Sequence, residues 1–368
     1  MAKISPTGGV VPTSSKGTIL ESLCMHSPQS RSELARRTGF PLPTVHRLCA
    51  QLKGDRLIED TGETHDGPGR PVRLLKFNPK AHASIAINIR SCRIDGAVFG
   101  LDGTILHEET TICKEDDDQR VTPQYLQLSI QLIKSLIGWA ESNNIAHTGI
   151  GIALPGIVRP NGTIDAANEL GWNKTPLRSI LQTQFDDTIL IENNANAFAY
   201  GEFISMNEAK KNPAVGFIMR PYGVGAGIVS NGQILHGFHG SAGELGYMLT
   251  SSSSLGRYYP TGGNLEKLIY GIGLTGETAA ADDGKVREML DLVALSIANL
   301  CLIADPEIIV IDVKDVIDEN TLIQGIRNRL IGRIPNVAEI TGTRLGQKAT
   351  LIGIGVLTAQ AIRGKVFQ

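Results

Sequence analysis

The stretch Ile191–Glu202, IENNANAFAYGE, reads as a hydrophobic strand running into an alanine-rich helix. Enzymes keep working groups at such junctions, and a phosphoryl-transfer enzyme needs a carboxylate there to take the proton of an attacking hydroxyl. The position holds Asn194, an amide with no useful proton affinity near neutral pH. Asn193 and Asn194 can each donate and accept hydrogen bonds, as a sugar hydroxyl requires; the plain alternative is that they cap the helix. A second set of chemically able residues lies in PTVHRLCAQLKGD. Helical spacing puts Pro43, Thr44, Arg47, Ala50 and Gln51 on one face, with His46 at its margin. An arginine fork matches a guanine edge and a glutamine amide matches an adenine edge, so Arg47 and Gln51 have the chemistry of base readout.

The elements that must hold these residues follow from pattern. Lys16–His26 places Ile19, Leu20 and Leu23 on one helical face. Ser30 and Glu33 have capping-box spacing, so a second helix starts near Arg31, and Gly39 ends it. GFPLP is a turn, with Pro41 and Pro43 tolerated at the start of a third helix. Val45, Leu48, Cys49 and Leu52 form that helix's apolar stripe. This is the helix-turn-helix arrangement, with the third helix entering the major groove; the plain alternative is a three-helix bundle with solvated charges. RLIEDTGETHDGPGRPVRLLKFN then reads strand, Gly-rich turn, strand, a wing. Its tip, Gly67-Pro68-Gly69-Arg70-Pro71, suits a narrow minor groove, or is a plain Gly/Pro turn. Arg73 and Lys76 are placed to touch phosphates. Thr44, His46, Arg47, Gln51, Arg70 and Arg73 are therefore the expected DNA-binding residues.

From Ala83 onward strands and helices alternate, which implies α/β layers. Asp102-Gly103 marks a hairpin, Pro123–Asn143 a helix and HTGIGIALPGIV a buried strand. Pro213–Val229 reads as two strands about a Gly-rich turn, Gly284–Leu302 as a helix and PEIIVIDV as a buried strand. Two such sets in series predict two lobes with a ligand-sized cleft between them. The expected division is an arm over 1–15, a winged helix-turn-helix over 16–80, one lobe over 81–190 and another over 191–368, whose C-terminal helix can pack back on the first.

Bulk properties narrow the function classes. The chain has 368 residues, 42% apolar, with a net charge of −2. The first 80 residues carry twelve Lys and Arg against seven Asp and Glu, a balance of +5, and the remainder stands at −7. A basic segment on an acidic body points to nucleic acid at one end only. No run approaches the ~18 apolar residues of a membrane span, and the N-terminus lacks a signal peptide's apolar core, so a cytoplasmic protein without membrane partners is expected. Five scattered cysteines without a C-x-x-C pair suit buried thiols rather than a disulfide or zinc framework.

The motifs GIALPGIV (151–158), NELGW (168–172), ENNANAFAYGE (192–202), GVGAGIVSNGQILHG (223–237) and GSAGELGYM (240–248) come in the order found in one family. With the wing GPGRPVRLLKFN, they make nearly the whole chain resemble the ROK proteins: repressors, open reading frames and sugar kinases. The resemblance implies a winged helix-turn-helix followed by a two-lobed α/β actin/hexokinase-like (ribonuclease H-like) body. It implies that Glu244 grips sugar hydroxyls, or else is a solvated loop charge, and that Glu266 is a second such glutamate. Kinases of the family open the body with a glycine pair for ATP phosphates, where this chain has Asn88-Ile89-Arg90-Ser91-Cys92. Their second phosphate loop reads Pro221-Tyr222-Gly223 here, their late Gly-Gly reads Asp312-Val313-Lys314, and their catalytic aspartate is Asn194. Proline donates no N–H, and phosphates need small residues to approach backbone donors closely. Family members often hold zinc with a histidine and three cysteines; this chain has Tyr247 and SSSSLGRYYPTGGN, leaving only His236 and His239, so no metal and no cofactor are expected. Tyr247 can still hydrogen-bond a hydroxyl or stack on a sugar face. The expected effector-binding residues are Asn193, Asn194, Glu244, Tyr247 and Glu266. The resulting expectation is a regulator, a repressor most often in this family. It binds double-stranded DNA at a pseudo-palindromic operator as a homodimer or homotetramer and answers to a sugar or sugar derivative. The alternatives are an ATP-dependent sugar kinase with a DNA-binding head, and a regulator whose body senses another protein.

Overall fold

The computed structural model describes residues 14–65, 72–113, 122–206, 214–220, 223–256, 262–273, 283–313 and 316–367. The head comprises α1 (Ser15–Met25), α2 (Arg31–Thr38), α3 (Leu42–Gly54), β1 (Ile58–His65) and β2 (Val72–Phe77). Ser30 and Glu33 form the reciprocal capping box at the start of α2, and Gly39 ends it in the left-handed region at φ 72°. The stripe Val45, Leu48, Cys49 and Leu52 of α3 is buried against Ile19, Leu20, Leu23 and Leu34. β1 and β2 pair antiparallel, and Gln29 joins them through backbone hydrogen bonds with Leu75 at 2.8 and 2.9 Å. The Arg70 tip lies outside the described residues, as do residues 1–13 of the expected arm. Ser14 and Ser15, assigned to that arm above, belong to the head: Ser14 caps α1, and its hydroxyl donates to the Phe367 carbonyl at 2.9 Å.

The body holds β3 (His82–Arg90), β4 (Arg93–Gly100), β5 (Ile105–Ile112), α4 (Thr122–Ser142), β6 (Ala146–Leu154), β7 (Ile157–Val158), β8 (Ile164–Ala167), β9 (Trp172–Thr175), α5 (Leu177–Gln182), β10 (Thr188–Asn193) and α6 (Asn194–Ser205). It continues through β11 (Ala214–Arg220), β12 (Gly223–Ser230), β13 (Gln233–Ile234), α7 (Asn264–Ile272), α8 (Asp283–Ala304), β14 (Ile308–Asp312), α9 (Glu319–Leu330), β15 (Glu339–Gly342) and α10 (Ala349–Val366). The two main sheets, β10-β6-β3-β4-β5 and β13-β12-β11-β14-β15, share one plan. Each is an antiparallel three-strand meander extended by two parallel strands. β7, β8 and β9 make a small third sheet.

β3 is buried along nearly its whole length because α4 covers one face of its sheet and α10 the other. α8 and α9 cover the outer face of the second sheet, while α6 lies on its inner face, against β11 and β12. The two inner helices, α6 and α10, pack together at glycines. A Cβ on Gly201 would stand 2.1 Å from the Ala349 carbonyl oxygen, and one on Gly353 1.8 Å from that of Ala197. One boundary above shifts. The first sheet runs on to Asn193, because β10 pairs in parallel with β6 over Thr188–Asn193, so a lobe boundary at 190 would cut that strand. α10, from the end of the chain, lies on the first sheet and carries Ala359, Ile362 and Phe367 into the core of the head. Among the described residues no helix is long and apolar enough to cross a membrane.

Candidate functional site

A cavity opens between the lobes where the chain leaves β10 for α6. Asn193, Asn194, Glu244, Tyr247 and Glu266, far apart in sequence, all line it. Asn193 is largely committed to structure. Its Oδ1 accepts from the Ala195 and Asn196 amides at 2.7 and 3.3 Å, capping α6, and its Nδ2 donates to the Gly156 carbonyl at 2.8 Å. That is the capping role open at the sequence level, and it leaves Asn193 one spare donor hydrogen. Asn194 begins the helix, and its amide has no protein partner among the described residues, so it is free for a ligand.

The Glu244 carboxylate has no hydrogen-bond partner among the described residues. Burial, and then the charge of Glu266, push its pKa up to about 7. Glu266 sits in the first turn of α7, where its Oε2 accepts from the Gly263 amide at 3.2 Å. Burial raises its pKa despite that bond and nearby Lys267. Tyr247 is 47% exposed at the rim; burial of its hydroxyl, and then Glu244 and Glu266, raise its pKa.

Sequence reasoning passed over two wall residues. Glu169, within the quoted NELGW motif, follows β8 and enters the cavity; burial and then Glu266 raise its pKa, against the opposing charge of Arg220. Arg220, at the end of β11, lines the cavity but is engaged by Asp312, through Nη1 to the carbonyl at 3.0 Å and to Oδ1 at 3.1 Å. Behind the wall, the buried Glu192 accepts from the Asn193 amide at 2.8 Å, from Asn196 Nδ2 at 2.9 Å, and meets His236 Nε2 at 2.6 Å. The hydrogen bond to Glu192 raises the His236 pKa, partly offset by burial. Among the described residues no group of three His, Cys, Asp or Glu stands close enough to hold a metal ion.

The phosphate-loop positions are filled by other chemistry. The turn at Ser91-Cys92 is a tight hairpin between β3 and β4, with Cys92 at φ 61°. Arg90 reaches across to Asp95, which also takes Arg93 Nε at 2.7 Å and Thr110 Oγ1 at 2.9 Å. Burial raises the Asp95 carboxyl, but these hydrogen bonds and the Arg90 charge outweigh it and hold the pKa below its ordinary value. Asp312, at the position where the resemblance implies the kinases' late glycine pair, is held by Arg220. Pro221, Tyr222 and Lys314 lie outside the described residues.

In the head, His46, Arg47, Ala50 and Gln51 are exposed along α3, and Thr44 is partly exposed at its start. The side chains of Arg47 and Gln51 make no hydrogen bond or ion pair among the described residues. Arg73 on β2 is exposed. Lys76 is held by Glu59 at 3.0 Å, which makes it a weaker phosphate contact than Arg73.

The ROK family profile matches residues 84–361, and that of the IclR helix-turn-helix domain matches residues 18–62. The xylose repressor of Bacillus spizizenii is 30% identical over 230 residues, which cover 62% of this chain and 59% of the relative. The chain thus spans about three fifths of the length of that relative. A glucokinase of Halalkalibacterium halodurans is 29% identical, covering 75% of this chain and 94% of the relative. Among solved structures, a ROK family transcriptional regulator, a homologue of the E. coli MLC protein, superposes with a TM-score of 0.72 at 18% identity over 96% of each chain. A ROK hexokinase of Thermus thermophilus does so with a TM-score of 0.58 at 20% identity, covering 76% of this chain and 99% of the other. These likenesses establish the fold: a helix-turn-helix head on a two-lobed actin/hexokinase-like body.

Proposed function

The chain belongs to the ROK family, and from that premise we propose that it is a DNA-binding transcriptional repressor whose degenerate sugar-kinase body senses a sugar or sugar derivative. The carrying observation is the pairing of a free reading face on α3 with a cavity that keeps hydroxyl-binding groups and has an amide, Asn194, where a phosphoryl-transfer base would stand. General-base catalysis contributes about 10²–10⁴-fold in rate. Here an amide stands at the base position, the turn at Ser91-Cys92 is braced by Arg90 and Asp95, and Asp312, paired with Arg220, stands in place of the kinases' late glycine pair. The name xylose repressor on the relative supports the same reading.

In this reading residues 14–80 are the DNA head, with Thr44, His46, Arg47 and Gln51 toward base edges and Arg73 toward phosphate. Two heads of a homo-oligomer would sit on a pseudo-palindrome. Asn194, Glu244, Tyr247 and Glu266 hold the effector. A packed path connects the two sites. α6 starts at the cavity and packs on α10 through Gly201 and Gly353. α10 carries the buried Arg363, which donates from Nε and Nη2 to the Leu101 carbonyl at 2.8 and 2.6 Å, and from Nη1 to Glu21 Oε1 of α1 at 3.1 Å. A ligand that closes the lobes moves α6 against α10, and α10 carries the motion to α1. The ligand shifts the equilibrium only by its differential affinity for the two forms. The test is duplex binding by the full chain with and without sugars, beside a coupled ATP assay with the same sugars. Specific duplex binding that a sugar changes, with no turnover of ATP, is the expected result; sugar-dependent ATP turnover would restore the kinase reading.

A further inference from the structure

The cavity of the proposed sensor has an unusual charge balance. Three carboxylates enter it from three different elements: Glu169 after β8, Glu244 before Tyr247, and Glu266 on α7. The carboxylates of Glu169 and Glu244 have no hydrogen-bond partner among the described residues, although both are desolvated. The one cation in the wall among the described residues, Arg220, is forked onto Asp312, and Lys267 acts on Glu266. Glycines give the carboxylates room. A Cβ on Gly223 would stand 3.1 Å from Glu169 Oε1, and one on Gly262 3.0 Å from Glu266 Oε2. Burial raises all three carboxyls, and Glu266 raises Glu169 and Glu244 further, with Arg220 offsetting this in part at Glu169, so the three acids facing one cavity leave it net negative or holding a proton. A neutral sugar supplies no countercharge. A small metal ion is not the natural guest either, since the described residues hold no cluster close enough to ligate one.

We infer that the effector is a polyol carrying an ammonium group, an amino sugar with its amine free, whose hydroxyls meet Asn194 and Tyr247 and whose cationic nitrogen sits among Glu169, Glu244 and Glu266. This inference rests on the sensor reading and names its ligand class. An ammonium in a partly desolvated acidic site gains charge-assisted hydrogen bonds that a hydroxyl or an acetamide at the same carbon does not. Binding also drives off the proton that the empty cavity holds.

The test is calorimetric titration of the full chain with matched sugars: glucosamine, glucose and N-acetylglucosamine, then the galactose and mannose counterparts, with xylose as a further neutral probe. Each is run in two buffers of different ionisation enthalpy near pH 7. The expected result is that at least one free-amine sugar binds roughly tenfold or more tighter than its neutral counterparts and releases a fraction of a proton. Glu169→Gln should shrink that preference severalfold, and Glu244→Gln should remove most of the proton release; melting of each variant verifies that it is folded. Equal or tighter binding of a neutral sugar, no heat with any free-amine sugar, or a preference unchanged in both variants would each overturn the inference. A duplex titration in parallel separates the failures. Specific DNA binding with the wrong ligand preference sinks only the ammonium assignment, whereas loss of both sinks the sensor reading itself.

Discussion

Replacing Arg363 with alanine should uncouple the DNA head from the body. Arg363 is 4% exposed, and its guanidinium serves both units: two donors on the Leu101 carbonyl, one on Glu21. Truncation strands a buried carbonyl, worth about 1–3 kcal/mol, and leaves Glu21 without its cation. Breaking a fully buried ion pair costs about 3–5 kcal/mol, but the Glu21 side chain is 22% exposed and water recovers part of that. The combined loss should be about 3 kcal/mol, localised at the junction of α1, the β4–β5 turn and α10. Lysine should rescue poorly, because a single ammonium cannot span Leu101 and Glu21 as the planar fork does. In urea, Arg363→Ala should show an earlier transition for the head, read by hydrogen exchange in α1. In the duplex assay, sugar should no longer change affinity, although the head still binds DNA. Stability within about 0.5 kcal/mol of the parent, together with an intact effector response, would refute a route through α10.

Further expectations concern single groups. Arg47→Ala should weaken specific binding by about 1–3 kcal/mol and relax one base position, whereas Arg73→Ala should weaken all sequences alike and lower the salt slope by about 1; a base-selection profile separates the two. Glu244→Ala should abolish the sugar response, with duplex binding in the absence of sugar serving to show that the head is intact. Without ligand, the pKa of Glu244 lies above its unfolded value, so the folded state binds the extra proton. The stability it contributes is present at low pH and is lost as pH rises from about 4.5 to about 7. Stability, measured by denaturation across that window, should fall less steeply with rising pH in Glu244→Gln than in the parent. Ser30→Ala should cost about 1 kcal/mol through the lost cap of α2, measured by urea unfolding.

Local signals carried much of this molecule. Ser30, Glu33 and Gly39 set the ends of α2 through contacts within a few residues, and the stripe of α3 needed only helical periodicity. The cavity residues Asn194, Glu244, Tyr247 and Glu266 were legible because their motifs resemble those of a family, not because anything local brings them together. What the sequence concealed depends on long-range approach. Glu169 lay inside a motif quoted only for its place in the family's order, and its carboxylate counts only once the chain after β8 reaches the cavity that Glu266 also lines. Arg220 and Asp312 are 92 residues apart and meet because β11 and β14 are parallel neighbours. Arg363 and Glu21 are 342 residues apart and meet because α10 threads between sheet and head. Asn193 shows the reverse: its capping role was local, and it takes an amide that a pocket reading had assigned to ligand.

The most direct measurement is an anisotropy titration of the full chain on a labelled duplex from the DNA beside its own gene, at fixed salt with excess non-specific competitor, repeated across sugars and amino sugars. The account predicts specific binding that one compound in the panel shifts by about 5–150-fold, the span of coupling free energies of 1–3 kcal/mol. Binding no tighter than to competitor, accompanied by ATP-dependent phosphorylation of a sugar in the same panel, would contradict it.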